Sequence, residues 1–171
     1  TFISENGWQR IATALKPGDY VFIQFGHNDE SKEKTDRYTP PEDYKRNLKR
    51  FITETRPKKA TPVLLTPVTR RRFKDGRIQE THQDYSPLVL EVGKDLNVPV
   101  IDLDKLSREL LQDLGEEQSK LLFLQLAPGE HPNYPERKND NTHFNELGAR
   151  KVAQIVLQQI KQLDIDLAKR I

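Results

Sequence analysis

The sequence lacks cysteine and methionine entirely and contains a single tryptophan. The absence of cysteine excludes a disulfide scaffold, a thiolate nucleophile and zinc sites built on thiolates. Long apolar runs are also missing, so no segment is predicted to span a membrane. Charge of one sign does not dominate, because 28 Lys and Arg residues stand against 26 Asp and Glu residues. This balance does not predict a nucleic-acid partner.

The remaining composition is that of a folded protein. Hydrophobic residues make up 35% and charged residues 32% of the 171 residues, which predicts a single domain over residues 1–171 with its own core. The chain opens with Thr1-Phe2-Ile3-Ser4, which is neither a translation start nor a signal peptide. We therefore expect this domain to be truncated at its N-terminus.

Predicted helices and strands alternate along the chain, which favours a parallel sheet with helices on both faces. The clearest strand spans residues 19–25 and ends at Gly26-His27-Asn28-Asp29. Ligands bind at the carboxyl ends of such strands, so this segment is a candidate site. A loop rich in Pro, Gly and Asn is predicted from Ala127 to Asn141, and the last helix from about Asn145. Other strands are predicted at residues 62–66 and 98–102, and other helices at residues 8–15 (capped by Ser4), 41–56, 85–96 and 106–114.

Asp140 and His143 lie three residues apart just before the last predicted helix. Hydrolysis of an ester at neutral pH needs a base that titrates near pH 7 and a carboxylate that orients it. This spacing can bring the carboxylate to the near ring nitrogen, while the other nitrogen faces a pocket. Alternatively, Asp140 caps the helix and His143 is an ordinary surface residue. Spacing alone leaves both interpretations open.

Asn28 presents a similar choice. An amide that follows a buried strand can point its NH2 group at a developing oxyanion, which is a large source of stabilisation in acyl transfer. The alternative is a turn residue that tolerates unusual backbone angles.

Taken together, the two segments resemble the third and fifth sequence blocks of SGNH (GDSL) hydrolases. The resemblance extends to the rhamnogalacturonan acetylesterase-like branch of that family. It covers essentially the whole chain and is carried by the phrases at residues 16–21, 23–29, 66–71, 98–103 and 140–144. It implies a three-layer α/β/α sandwich with a parallel, flavodoxin-like sheet, and it implies no cofactor and no metal. Residue by residue, Asn28 matches the family's oxyanion-hole asparagine, His143 its base and Asp140 the residue that orients the base.

The sequence departs from this family at its N-terminus. The family's nucleophile lies in a Gly-Asp-Ser block after the first strand, and a second block supplies a glycine N–H to the oxyanion. Neither block occurs here, and the five serines lie outside any such block. We therefore expect two strands and one helix of the fold to be missing. The chain alone is expected to be inactive, with a sheet edge beside residues 19–25 left open to association.

Two other enzyme classes are weighed against this prediction. A metal-dependent hydrolase is suggested by the ligand types of His27, Asp29, Asp140 and His143. However, no further His and Asp clusters support a two-metal site. An N-terminal nucleophile enzyme using Thr1 is disfavoured by the α/β pattern.

A non-catalytic carbohydrate-binding module is the third alternative. The basic loop Arg70–Lys74 could contact phosphate or uronate groups, although such clusters are commonly just solvated. His82 and His131 have no partner at motif spacing and are interpreted as structural or loop residues. Tyr134 is interpreted as a loop-packing residue that could alternatively stack on a sugar.

The resemblance thus predicts a carbohydrate esterase that removes acetyl groups from a plant cell-wall, pectic polysaccharide. Its partners would be acetylated polysaccharide or oligosaccharide substrates. Because such polymers do not enter cells whole, a secreted or periplasmic location is expected.

Overall fold

The computed structural model describes residues 2–171 and divides into two compact units. The first unit comprises the residues up to Pro67 together with His82–Asp102. The second comprises Val68–Thr81 and Leu103–Ile171. Residues 2–171 form five α-helices: α1 (Gly7–Ala14), α2 (Pro41–Thr55), α3 (Ser86–Asp95), α4 (Leu103–Gln118) and α5 (Glu146–Ile160). The same part of the chain forms seven strands: β1 (Tyr20–Gln24), β2 (Thr61–Leu65), β3 (Phe73–Lys74), β4 (Arg77–Ile78), β5 (Val100–Ile101), β6 (Phe123–Leu126) and β7 (Lys138–Phe144).

The first unit is built on a parallel sheet in the order β1-β2-β5. Tyr20 pairs with Thr61 at one end of the β1–β2 ladder and Gln24 with Leu65 at the other. Helix α2 packs against β1 and β2, and α3 packs against β2 and β5. The predicted α/β fold with a parallel sheet is therefore confirmed.

One edge of this sheet is β1. Among residues 2–171 no strand pairs with its outer side. Phe22 in the middle of β1 is 38% exposed, which is unusual for an aromatic residue in a parallel strand, since such strands are normally buried on both faces.

The core of the first unit joins the sheet to its helices. Trp8 of α1 packs on Phe51 of α2 with ring centroids 4.6 Å apart, and its indole N–H donates to Glu54 at 2.6 Å. Trp8, the single tryptophan, therefore belongs to this core. Its other buried side chains larger than alanine are Ile23, Tyr44, Leu48, Ile52, Leu64, Tyr85, Val89, Val92 and Val98.

The second unit contains two small antiparallel sheets, β3–β4 and β6–β7, together with α4 and α5. Its core is formed by Leu111, Leu122 and Phe123, against which Phe144 packs. In this unit α5 begins where predicted: the side chain of Asn145 accepts the N–H of Gly148 at 3.0 Å, which is the usual bond of a helix cap. Gly148 is required there because a Cβ would lie 2.0 Å from the carbonyl oxygen of Leu122.

Several predicted boundaries were wrong. Helix α1 begins at Gly7, after Asn6 in a left-handed conformation, and Ser4 does not cap it. Helix α4 bends at Gly115, whose φ of 72° is non-helical, and helical residues continue to Gln118. The predicted loop from Ala127 to Asn141 was too long, because its last four residues belong to β7, which pairs with β6.

Candidate active site

The first candidate segment, Gly26–Asp29, forms a tight turn with Glu30 just after β1. The Asp29 carboxylate accepts the N–H of Gly26 at 2.9 Å, and the Glu30 N–H donates to the Gly26 carbonyl at 3.2 Å. Gly26 has a φ of 123°, a backbone conformation that residues other than glycine rarely adopt. Asp29 therefore builds the turn that presents Asn28.

Tyr44 of α2 stabilises this turn through a hydrogen bond. Its hydroxyl donates to the Phe25 carbonyl at 2.9 Å. Burial raises the pKa of Tyr44, with nearby carboxylates adding to the effect, so the phenol stays protonated and remains a donor. The turn is thus fixed at the point where β1 ends.

A cavity of about 480 Å³ opens beside this turn within the first unit. Asn28 lies on its wall and is exposed to solvent. The wall combines aromatic and polar side chains, among them Phe2, Phe25, Phe51, Asn47 and Arg37. A cavity with an apolar wall and a few polar groups is typical of a ligand site.

A buried histidine lies behind the turn. His82 is fully buried, and its Nδ1 lies 2.9 Å from Oε1 of Glu30. The His27 ring packs on the His82 ring with centroids 4.6 Å apart. His82 therefore has a partner 52 residues away in the chain, which no motif spacing could reveal, and its interpretation as a structural residue agrees with its burial.

The second candidate segment lies on β7, in the second unit. Phe123 pairs with Phe144 and Gln125 with Asn139. One residue of β6, Leu124, therefore faces four residues of β7, Asp140 to His143, which form a wide bulge. Bulges of this kind redirect side chains and are frequent beside active sites. These residues, expected at the end of a loop and just before the last helix, thus form a bulge inside a strand.

Within the bulge, Asp140 and His143 are in direct contact. Oδ2 of Asp140 lies 2.7 Å from Nδ1 of His143, while Oδ1 accepts the N–H groups of Thr142 at 2.8 Å and His143 at 2.9 Å. An ionised carboxylate can only accept, so this contact holds a proton on Nδ1. The His143 side chain is 72% exposed and that of Asp140 14%, which leaves Nε2 facing outward.

The charge of Asp140 is stabilised by these contacts. Partial burial works against ionisation, but hydrogen bonds from the His143 N–H, the His143 ring and the Thr142 N–H outweigh it and hold the pKa of Asp140 below its usual value. An ionised carboxylate on Nδ1 and an accessible Nε2 are what a general base needs.

The bulge is anchored by two residues, Arg71 and Gln125, for which the sequence predicted no such role. Arg71 of the basic loop is buried, and its guanidinium donates to Asn141 Oδ1 at 2.9 Å. Gln125 donates to the carbonyl of Asp140 at 2.9 Å. Arg71 and Asn141 are 70 residues apart in sequence, and an arginine among other basic residues carries no sign that it is buried.

The structure thus brings Asp140 and His143 together, as predicted. Asn28 belongs to the other unit, and its role as an oxyanion donor stays a prediction. Thr1 lies outside the described residues. Across residues 2–171, no three His, Asp or Glu side chains are grouped so that they could hold a metal ion. No helix in that part of the chain is long and apolar enough to cross a membrane.

Comparison with known sequences places these features in one family. Residues 3–151 match the GDSL-like Lipase/Acylhydrolase family. The chain is 42% identical to rhamnogalacturonan acetylesterase RhgT of Bacillus subtilis over 168 residues, which are 98% of this chain and 71% of the relative. It is 36% identical to the probable rhamnogalacturonan acetylesterase YesY of the same organism, covering 100% of this chain and 75% of the relative.

Solved structures agree at the level of the fold. Protein YxiM of Bacillus subtilis superposes with a TM-score of 0.74 at 24% identity, over 96% of this chain and 43% of that chain. The acetylxylan esterase Axe2 of Geobacillus stearothermophilus gives a TM-score of 0.65 at 19% identity, over 92% of this chain and 65% of that chain. The chain thus spans less than two thirds of either structure. From its sequence match and its fold, it belongs to the GDSL-like lipase/acylhydrolase family of ester hydrolases, the SGNH hydrolases.

Proposed function

We propose that this chain supplies the base, its orienting carboxylate and one oxyanion donor of a serine esterase that removes acetyl groups from pectic polysaccharide of the rhamnogalacturonan type. The observation that carries the proposal is the contact of 2.7 Å between Asp140 Oδ2 and His143 Nδ1, combined with the exposure of the imidazole. Family membership and the names of RhgT and YesY support the substrate class.

In the proposed reaction, His143 Nε2 takes the proton of a serine hydroxyl as its oxygen attacks the acetyl carbon. The amide of Asn28 donates to the oxygen that becomes negative. His143 then gives the proton to the departing sugar oxygen, which breaks the ester bond. Water, activated by the same imidazole, releases acetate and restores the serine. Asp140 keeps the proton on Nδ1 throughout and stabilises the imidazolium.

We propose that the nucleophile comes from a Gly-Asp-Ser block outside these 171 residues. Two of the five serines are held in structural roles: Ser107 accepts the Thr69 N–H at 3.0 Å, and Ser119 accepts from Arg71 Nε at 3.0 Å. Ser86 is also buried. On this proposal the 171 residues form one truncated domain that is inactive alone, and the strand leading to the serine pairs with the outer side of β1.

Acetate release tests this proposal directly. The extended chain, defined as these residues joined to the coding sequence that precedes Thr1, is compared with the 171-residue chain on acetylated rhamnogalacturonan oligosaccharides. The extended chain should release acetate and be blocked by a serine-directed phosphonate, whereas the shorter chain should release almost none. If the 171-residue chain itself showed full activity that the phosphonate blocks, the proposal that the nucleophilic serine lies outside these residues would be overturned.

The substrate is tested in the same assay. The extended chain should deacetylate the pectic oligosaccharide faster than acetylated xylan. The reverse preference would overturn the pectic assignment and leave the esterase proposal in place. Absence of Gly-Asp-Ser from the preceding coding sequence would remove the proposed nucleophile.

We also propose that the enzyme acts outside the cytoplasm, because pectic polymers do not enter cells whole. The test is fractionation of the producing cells, with the protein followed by an antibody. Recovery of the protein only from the cytoplasm would contradict this location.

A further inference from the structure

A buried arginine holds the bulge that carries Asp140 and His143, which are called the candidate dyad. Arg71 is 7% exposed, although it is one of three consecutive arginines in the basic loop. Its Nε donates to Ser119 Oγ at 3.0 Å, its Nη1 to Asn141 Oδ1 at 2.9 Å and its Nη2 to the carbonyl of Glu116. Its backbone N–H donates to the carbonyl of Asn141 at 2.8 Å. Arg71 therefore contacts Asn141 at two points.

Asn141 is the residue between Asp140 and Thr142, inside the bulge. Its Oδ1 also accepts from Gln125 Nε2 at 2.9 Å, and the same nitrogen donates to the carbonyl of Asp140. Two side chains thus hold the backbone around Asp140 by hydrogen bonds. The guanidinium of Arg71 binds the side chain of Asn141, and the amide of Gln125 binds both that side chain and the Asp140 carbonyl.

The chemistry of arginine explains why this residue is suited to the position. A guanidinium presents its donors in a rigid planar fork, whereas the ammonium of lysine is a compact charge on a flexible stem. Here the fork reaches three separate acceptors, on Ser119, Asn141 and Glu116. Burying a charge against neutral acceptors is costly. A residue needed only for solubility would not be placed there.

We propose that Arg71 is a positioning residue for the dyad: it fixes the bulge so that the Asp140 carboxylate meets Nδ1 of His143 and holds the imidazole in its Nδ1–H tautomer. The inference rests on the proposed function, in which His143 is the base. Arg71 itself touches neither His143 nor the substrate in this scheme, and it acts through Asn141.

The tautomer of His143 is the readout, because it needs no nucleophile and no activity. Nitrogen-15 chemical shifts of the two ring nitrogens distinguish the Nδ1–H form from the Nε2–H form that a free imidazole prefers. In the 171-residue chain at alkaline pH, His143 should be mainly Nδ1–H. Arg71→Met and Arg71→Lys should both shift it towards the mixture of a free imidazole. Lysine keeps the positive charge but lacks the planar set of donors, so Arg71→Lys tests whether the charge alone is enough.

Arg72→Met is the matched control, because Arg72 is the exposed neighbour of Arg71. It should leave the tautomer of His143 unchanged, and His131 should be unaffected in every variant. In the extended chain, Arg71→Met should lower kcat by roughly a hundredfold with KM nearly constant, as expected for a misplaced catalytic group.

Asn141→Ala keeps the test decisive if the Arg71 variants fail to fold. It removes the guanidinium's contact with the bulge and leaves the contacts with Ser119 and Glu116 in place, so it should shift the tautomer in the same direction. An unchanged tautomer in folded Arg71→Met or Asn141→Ala protein would overturn the positioning role. So would an equal shift in Arg72→Met. Loss of the esterase proposal would appear separately, as an inactive extended chain whose His143 still shows the Nδ1–H form.

Discussion

Two histidine–carboxylate pairs of nearly equal geometry occur in the two units of this molecule. In the first unit, His82 Nδ1 lies 2.9 Å from Glu30; in the second, His143 Nδ1 lies 2.7 Å from Asp140. Their exposure is opposite, since the His82 side chain is 0% and that of His143 72% exposed. A short contact with a carboxylate therefore does not identify a catalytic histidine.

The surroundings of the two pairs explain the difference. His82 is packed on the His27 ring, and Glu30 belongs to the turn that presents Asn28, so this pair ties a loop to the core. His143 stands on a bulge with its second nitrogen outward. We infer that access to Nε2 separates a general base from a structural imidazole.

Replacing His143 should have the largest effect. In the extended chain, His143→Gln should lower kcat for acetyl release by about 10⁴-fold, because the serine loses its base. The melting temperature should hardly change, since the side chain is mostly exposed. His131→Gln, in an exposed loop of the same unit, is the control and should retain activity. Activity of His143→Gln close to that of the unaltered protein would place the base elsewhere.

Replacing Asn28 should have the second-largest effect on activity. Asn28→Ala should lower kcat by about 10²- to 10³-fold, the usual cost of one lost oxyanion donor, with little change in KM. Asn47→Ala, on the wall of the same cavity, is the matched control and should be nearly neutral. An equal loss of kcat in both variants would mean that Asn28 has no special part in the transition state.

His82 should show the opposite division between activity and stability. His82→Leu leaves the Glu30 carboxylate without its imidazole and should cost about 2–4 kcal/mol of unfolding free energy. Activity per folded molecule should fall far less than in His143→Gln. Urea unfolding can be followed by the fluorescence of Trp8, the single tryptophan, which is buried in the same unit. A stable His82→Leu protein with no activity would contradict the structural role.

Local signals predicted much of the fold. Helix α2 begins at Pro41 with Glu42 and Asp43 in its first turn, and α5 begins after the Asn145 cap, both as the sequence indicated. The apolar run after Asp19 correctly predicted β1. In each case the determining residues are neighbours in the chain.

Features that depend on distant partners were missed. The first four residues of β7 were predicted as loop because Pro, Gly and Asn dominate the residues before them, whereas the pairing of β7 with β6 is a long-range contact. The hydrogen bonds of the Arg71 guanidinium were missed for the same reason, because its partners are distant in sequence. One local signal was overlooked: Asp75-Gly76, with both φ values positive, is the turn that joins β3 to β4 and is a strong hairpin signature.

The smallest predicted effect concerns pH and the second pair alone. The folded-state pKa of Asp140 lies below its usual value, which is about 3.9 in an unfolded chain. Near that pH the folded state binds fewer protons than the unfolded state. The stabilisation by the ionised carboxylate is therefore complete above about pH 5 and is lost as the pH falls through the folded-state pKa.

Asp140→Asn removes this titration. It should be less stable than the unaltered chain by about 1–2 kcal/mol at neutral pH, because two backbone N–H groups and the imidazole lose a charged acceptor. The difference should shrink as acid protonates Asp140 in the unaltered chain, which urea unfolding followed by circular dichroism can measure. Asp166→Asn is the control: the exposed Lys169 lowers the pKa of Asp166 as well, but solvent and salt screen that pair. A stability difference for Asp140→Asn that is the same at pH 7 and in strong acid would mean that the carboxylate of the exposed pair is not the charged group that anchors His143.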